Sequence, residues 1–225
     1  MSLNISKGNM YPFITHTFNA IQGKCPHGCQ YCYMRRFGEQ KPVRFKPSEL
    51  KTNLGKDNFI FVGSSCDMFA EEIDLDWIVD TLKYCGRYKN KYLFQTKNPE
   101  KLYKLRHQLP PNSTVGTTIE TNRTYAEMGN TPLPQDRAKY MVLLSINRPS
   151  MLTIEPIMDF DIDYFEHLIW HCLPQWVNIG ADSQGHNLQE PSEKKIIEFI
   201  DRLEKFTDVK LKKNLKRLLP NESRI

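Results

Sequence analysis

The chain is predicted to be an α/β protein in which parallel strands alternate with helices, and three observations carry that prediction. Short runs rich in β-branched and aromatic residues alternate with helical patterns along most of the 225 residues, the mark of successive βαβ units. Each apolar run ends in polar or charged residues, as strands do where a βα fold gathers its chemistry. A closed eight-fold barrel takes about 250 residues, so six units and a tail suit this length better.

The elements follow in order. Phe13 to Phe18 alternates apolar and polar residues ahead of a cysteine-rich loop. The next runs are Asn58 to Val62, Tyr92 to Gln95, Thr114 to Ile119, Met151 to Ile154 and Trp176 to Ile179, with a seventh near Val209 to Leu211. Between them Leu75, Ile78, Val79 and Leu82 recur at helical spacing behind an Asp74 cap. Asn98-Pro99 reads as a cap followed by proline at the first helical position. Asp136 is expected to open the helix that carries Met141 and Leu144. Phe165, Leu168, Ile169 and Cys172 form the next stripe, and Ile196, Phe199, Ile200 and Leu203 the last, after Ser192.

Composition narrows the class. Lys plus Arg number 31 against 26 Asp plus Glu, for a net charge of +5, with 40% hydrophobic and 25% charged residues. Those values suit a soluble globular protein and exclude a disordered tail or a fibre. The longest apolar stretches, such as Met141 to Leu144, fall far short of the roughly 18 residues a membrane span needs. Met1 to Asn9 carries one Lys and no apolar core of a secretory signal, which predicts a cytoplasmic protein with no membrane partner. No repeat, low-complexity tract or long linker interrupts the chain. A single domain over 1–225 is expected, with a core over about 12–206 and a basic C-terminal segment over 207–225.

Six cysteines in such a chain pose a question of chemistry rather than of disulfides. Cys25, Cys29 and Cys32 are clustered; Cys66, Cys85 and Cys172 are scattered. Pro26 and Gly28 let the intervening loop curl so that the three thiolates face one object. A structural zinc wants four ligands and would have to recruit His27 or Cys66. A cubane iron–sulfur cluster on three cysteines leaves one iron open for a small molecule, and the trio favours that reading.

Cys-x3-Cys-x2-Cys with Tyr31 directly before the last cysteine resembles the signature loop of the radical S-adenosylmethionine (SAM) superfamily, and Phe13 to Phe18 precedes it as the first barrel strand does there. The resemblance implies an open, partial (βα)6 barrel. It implies a [4Fe–4S] cluster on Cys25, Cys29 and Cys32, with SAM chelated by the unligated iron and Tyr31 beside its adenine. Further motifs are Phe61-Val62-Gly63-Ser64 with Asp67-Met68-Phe69, Gln95 to Pro99, Val115 to Glu120 and Ile154-Glu155-Pro156. Together they resemble a short phage-associated family of radical SAM proteins with a three-cysteine motif. That likeness covers about Ile14 to Gly185 and brings no substrate with it.

The strand ends supply the remaining candidates. Where the superfamily often carries Gly-Gly-Glu, this chain has Gly63, Ser64, Ser65 and Asp67, whose acceptors are expected to take the SAM ammonium. Lys97, Thr118, Glu120, Arg123 and Glu155 stand at later strand ends. Glu120 and Arg123 are the expected ribose and carboxylate contacts, since a guanidinium fork fits a carboxylate. Cys66 at a strand end is a candidate hydrogen-atom donor, as a cysteine is in the related spore photoproduct lyases, or else a small buried hydrophobe. Cys85 and Cys172 fall on or beside apolar helical stripes and are assigned to packing.

The charges are uneven. From Lys83 to Arg106 stand eight bases and one acid, interleaved with Tyr84, Tyr88, Tyr92, Phe94 and Tyr103. From Lys210 to Arg217 stand five bases and no acid, and Asp67 to Asp80 holds six acids and no base. Bases with interleaved aromatics suit a nucleic-acid backbone, although solvated helix faces with tyrosines in the core give the same pattern. The expected activity is an enzymatic one. A one-electron donor such as flavodoxin or ferredoxin reduces the cluster, SAM is cleaved, and a 5′-deoxyadenosyl radical takes hydrogen from a substrate. A metabolite, a protein and a modified nucleobase remain open as that substrate. The alternative is a nucleic-acid-binding module whose cysteines hold zinc.

Overall fold

The computed structural model describes residues 3–6 and 10–225, so the reading of Met1 to Asn9 lies largely outside the described residues. The chain opens with β1 (Asn4–Ile5) and β2 (His16–Phe18), then makes a two-stranded ribbon of β3 (Ile21–Gln22) and β4 (Arg44–Phe45). From there strands and helices alternate: β5 (Phe59–Val62), α1 (Leu75–Cys85), β6 (Lys91–Gln95), α2 (Pro99–Lys104), β7 (Ser113–Thr118), α3 (Pro134–Ser145), β8 (Ser150–Ile154), α4 (Ile162–His171), β9 (Trp176–Ile179), α5 (Glu193–Leu203) and β10 (Asp208–Leu211).

The expected alternation is present, and the sheet is open rather than closed. Its order is β1-β2-β5-β6-β7-β8-β9-β10, with seven parallel strands from β2 to β10 and β1 antiparallel at the edge. The run near Val209 to Leu211 thus makes a seventh parallel strand, paired to β9 from Asp208↔Trp176 to Leu211↔Ile179.

Side-chain alternation divides the sheet into two faces. Ile60, Val62, Tyr92, Phe94, Val115, Leu152, Ile154, Val177 and Ile179 join the large core with the helices, among Leu82, Leu102, Met141, Ile169, Phe165 and Phe199. Each fully buried side chain of this size contributes about 1.5–3 kcal/mol. The other face carries Leu93 and Met151, closed at one end by Tyr11 and Ile14 with Phe13, Phe59, Phe61 and Trp176 around them. Cys85 and Cys172 are wholly buried in the helix-side core, as assigned.

The helix starts follow local chemistry. Asp74 accepts from the Asp76 N–H at 2.8 Å, Asn98 from Lys101 at 3.3 Å and Ser192 from Lys195 at 3.4 Å; such caps are worth about 1 kcal/mol each. Helix α3 begins at Pro134, two residues before the expected Asp136, because proline fills the first helical position without losing a hydrogen bond. Among the described residues no helix is long and apolar enough to cross a membrane.

Candidate active site

The parallel strands deliver their C-terminal ends to one cavity of about 380 Å3. Cys25, Cys29, Tyr31 and Cys32 line it from the cysteine loop, and Gly63, Ser64, Ser65, Cys66 and Asp67 from the exit of β5. Gln95 to Lys97, Thr118, Thr153 with Glu155, Asp182 and Lys212 follow from the ends of β6, β7, β8, β9 and β10. A second cavity of about 450 Å3 lies behind the loop and shares the three cysteines and Ser65 with the first. The thiols therefore stand between two spaces.

The loop curls as its sequence requires. Gly28 sits at φ +67°, a left-handed conformation costly for other residues. From outside, the segment Glu127 to Asn130 presses on it: Gln30 N–H donates to Glu127 O at 2.8 Å and Asn130 N–H to His27 O at 2.7 Å. Gly129 permits this, since a Cβ there would stand 2.2 Å from the His27 carbonyl oxygen.

Two buried ionic cross-links hold the loop to the strand ends. In the first, His27 Nε2 lies 2.8 Å from Asp67 Oδ2, and Asp67 also accepts from Thr96 Oγ1, Lys97 N–H and Phe69 N–H. Burial alone raises the Asp67 carboxyl, but the His27 charge and these donors outweigh it and hold it below the usual range. In the second, Glu120 is fully buried against an equally buried Arg137, with Arg137 Nη1 2.7 Å from Oε2. Lys97 Nζ lies 2.6 Å from the other oxygen, Oε1, and Tyr31 OH donates to it at 2.6 Å. Burial would lift the Glu120 carboxyl; the Arg137 and Lys97 charges hold it at about 2. Lys97 reaches past Glu120 to Cys29 Sγ at 3.3 Å and to Tyr31 OH at 3.1 Å.

Twelve of the fourteen sequence candidates thus meet at the cavity: Cys25, Cys29, Cys32, Tyr31, Gly63, Ser64, Ser65, Cys66, Asp67, Lys97, Thr118 and Glu155. Two do not. Glu120 lies behind the wall with both oxygens engaged, as a brace rather than a ribose contact. Arg123 turns outward, forked onto Asp161 and paired with Asp159, so its guanidinium is spent on the chain's own carboxylates. Cys66 is 2% exposed, and its interaction with Cys25 lowers Cys25 to about 7, while that interaction and burial push Cys66 up.

Sequence reading missed other lining groups. Tyr11 OH bridges Thr153 Oγ1 at 2.7 Å and Gln95 Oε1 at 2.8 Å, and Gln95 Nε2 donates to Thr118 Oγ1 at 3.0 Å. Lys212 Nζ lies 2.5 Å from Glu155 Oε2, and Asn214 donates to Oε1 at 2.7 Å. Only their place near strand ends could have marked Gln95 and Lys212, and nothing local marks Tyr11.

The donor set can be tested against the groups that bind such loops. Among the described residues no three His, Cys, Asp or Glu side chains converge on one point. A single zinc needs its thiolates about 2.3 Å from one centre. Irons of a cluster each take one thiolate, so three cysteines lining one cavity offer a ligand to each of three irons. The polar rim beyond them fits a small polar ligand, in the usual range of about 300–1,000 Å3 for such sites.

Comparison with solved structures agrees on architecture. Spore photoproduct lyase complexed with dinucleoside spore photoproduct aligns over 96% of this chain and 77% of its own, at TM-score 0.60 and 10% identity. A variant of that enzyme with bound AdoMet and the dinucleoside aligns over 88% and 64%, at 0.55 and 11%. Streptococcus suis SuiB aligns over 87% and 48%, at 0.53 and 9%. These are radical SAM enzymes, and the chain has their fold. No curated protein matches the sequence. The match of one family over residues 10–202 spans most of the chain, which therefore belongs to the family described as Protein of unknown function (DUF5131).

Proposed function

We propose that the protein is a radical SAM enzyme, with a [4Fe–4S] cluster on Cys25, Cys29 and Cys32. The observation that carries this reading is the convergence of those cysteines with the polar ends of β5 to β10 on one cavity. Held by these cysteines and reduced by a one-electron donor such as flavodoxin or ferredoxin, a cluster would supply one electron to SAM, whose sulfur–C5′ bond would break to give methionine and a 5′-deoxyadenosyl radical able to take hydrogen from a substrate.

The chain's own residues bind, orient and shield. Gly63, Ser64, Ser65 and Thr118 offer small polar surface to the SAM amino acid and ribose, and Glu155 offers a carboxylate from the far side. Asp67 works chiefly by holding His27, because its oxygens already accept four donors. Tyr31 presents ring surface to the cavity while its hydroxyl is fixed on Glu120. Lys97 places a positive charge on the Cys29 sulfur, which stabilises thiolate. Cys66 lines the cavity beside Cys25 but is 2% exposed, and that burial favours a role in packing the cysteine loop over hydrogen donation to a product.

The test is anaerobic reconstitution with iron and sulfide, then incubation with SAM and dithionite. A brown protein that forms 5′-deoxyadenosine, and a Cys29→Ala variant that forms none, are expected. One zinc per chain with no 5′-deoxyadenosine would overturn the reading in favour of a structural-zinc module.

A further inference from the structure

The sequence marked Lys83 to Arg106 as the candidate grip for a polyanion, and the structure moves that grip elsewhere. Tyr84 and Tyr92 are buried, with hydroxyls bonded to backbone carbonyls, and Phe94 lies in the core. Lys91 begins β6, so Lys83 to Lys91 sit at the strand ends opposite the cavity, while Lys97 enters the cavity wall already paired with Glu120. The excursion from β3 to β4 is different. Between Lys24 and Lys46 it holds six bases and one acid, Glu39. Lys24, Arg35, Arg36, Lys41 and Arg44 are exposed, and no ion pair among the described residues includes any of them. By contrast Arg123, Lys195, Arg202, Arg217 and Arg224 are each matched to carboxylates.

Folding gathers these charges. The backbone N–H of Lys24 donates to Lys41 O at 2.8 Å, and Ile21↔Phe45 and Gln22↔Arg44 pair the two arms. Flat surfaces stand among them. Tyr33 is 40% and Phe37 60% exposed, and the Arg36 guanidinium lies 5.8 Å and 4.7 Å from their ring centroids. Tyr33, Met34 and Arg36 also line the cavity, so the surface runs into its mouth.

We propose that this surface binds single-stranded nucleic acid and presents one nucleotide to the cavity as the substrate class. Unpaired cations track a phosphate backbone, and exposed rings beside a guanidinium stack bases. An acidic protein would be drawn by the charges alone and gives no use to the two exposed rings. The proposal rests on the radical SAM reading for its chemistry only; binding requires none.

The experiment measures fluorescence anisotropy of the reconstituted protein with labelled single strands of about 12 nucleotides, DNA and RNA, within the usual site size. Binding is expected to weaken roughly 50-fold from 50 to 200 mM salt if four phosphates are contacted. Phe37→Ala is expected to weaken it about fivefold or more by loss of stacking. Lys41→Glu/Arg44→Glu is expected to weaken it at least about tenfold while leaving 5′-deoxyadenosine formation, since neither residue lines the cavity. Lys83→Glu/Arg87→Glu, at the opposite end, should leave binding unchanged. Equal loss in that control, indifference to Phe37→Ala, or equal competition by polyglutamate would overturn the proposal, the last in favour of an acidic protein partner. Binding without 5′-deoxyadenosine would overturn the enzyme reading and leave the surface standing.

Discussion

The two sides of the cavity are built differently. On the cysteine side, Glu120 and Arg137 are both 0% exposed, and a chain of bonds runs from them through Lys97 and Tyr31 to Cys29. On the far side, Lys212 and Glu155 pair at 2.5 Å but remain 13% and 19% exposed, and the Asp182–His186 pair is likewise partly open. Water screens the far pairs and relieves their desolvation, and it also reaches Lys97, which is 16% exposed. The Glu120–Arg137 pair beneath it stands in low dielectric, where each charge depends on the other. One side is fixed before any ligand arrives; the other has latitude to adjust to one.

The largest effect should separate these sides by stability. Replacing Glu120 by Ala strands Arg137 and Lys97 and is expected to cost about 3–5 kcal/mol, read as a lower denaturation midpoint. Lys212→Met should cost less, since Glu155 keeps its bond from Asn214 and some access to water. Equal losses would abolish the distinction.

Acid titration sharpens the same contrast. Glu120 ionises at about 2 in the folded protein against 4.5 for the free side chain. A lowered carboxyl stabilises the fold above the unfolded value and loses that contribution as pH falls toward the folded one. The wild type should therefore lose on the order of 3 kcal/mol between about pH 4.5 and pH 2 through this group. Glu120→Gln should lack that part of the slope, as seen in urea melts at each pH.

A smaller effect concerns the proposed cluster. Lys97→Met removes the donor from Cys29 but leaves Glu120 paired to Arg137. Hydrogen bonds and positive charge at ligand sulfur favour the more negative, reduced state. The variant's midpoint potential, from a redox titration followed by electron paramagnetic resonance, should fall below that of the wild type. Lys212→Met should leave it in place.

The smallest effect is expected at Arg123. Arg123→Ala breaks half-exposed pairs with Asp159 and Asp161, worth about 1 kcal/mol or less. The apparent affinity for SAM, measured by 5′-deoxyadenosine formation against SAM concentration, should not change. A large rise in the concentration needed would restore Arg123 to the binding site.

Strands were legible because their apolar runs are short, bounded by polar exits and spaced by amphipathic helices. The meeting of their ends at one cavity was legible for the same reason, since βα folds bring strand ends together whatever the loops do. The two-residue strands β1, β3 and β4 left no run long enough to read. Arg137 lay hidden because a basic residue on α3 looks like a solvated one until Glu120, 17 positions earlier, is placed beneath it. Arg123 misled for the converse reason: its fork finds Asp161, 38 positions later, before any ligand. In the basic blocks, sequence showed charge and rings but not which way the rings point.

The brace beneath Tyr31 also sets an order of events during synthesis. Tyr31 meets Glu120 across 89 positions, and Glu120 meets Arg137 in the next helix. A growing chain that has made its cysteines but not yet released residues 120–137 lacks what holds the loop in this shape. Loading of the proposed cluster would therefore follow the release of α3, and a truncated product ending before α3 would carry the three thiols without the frame that positions them.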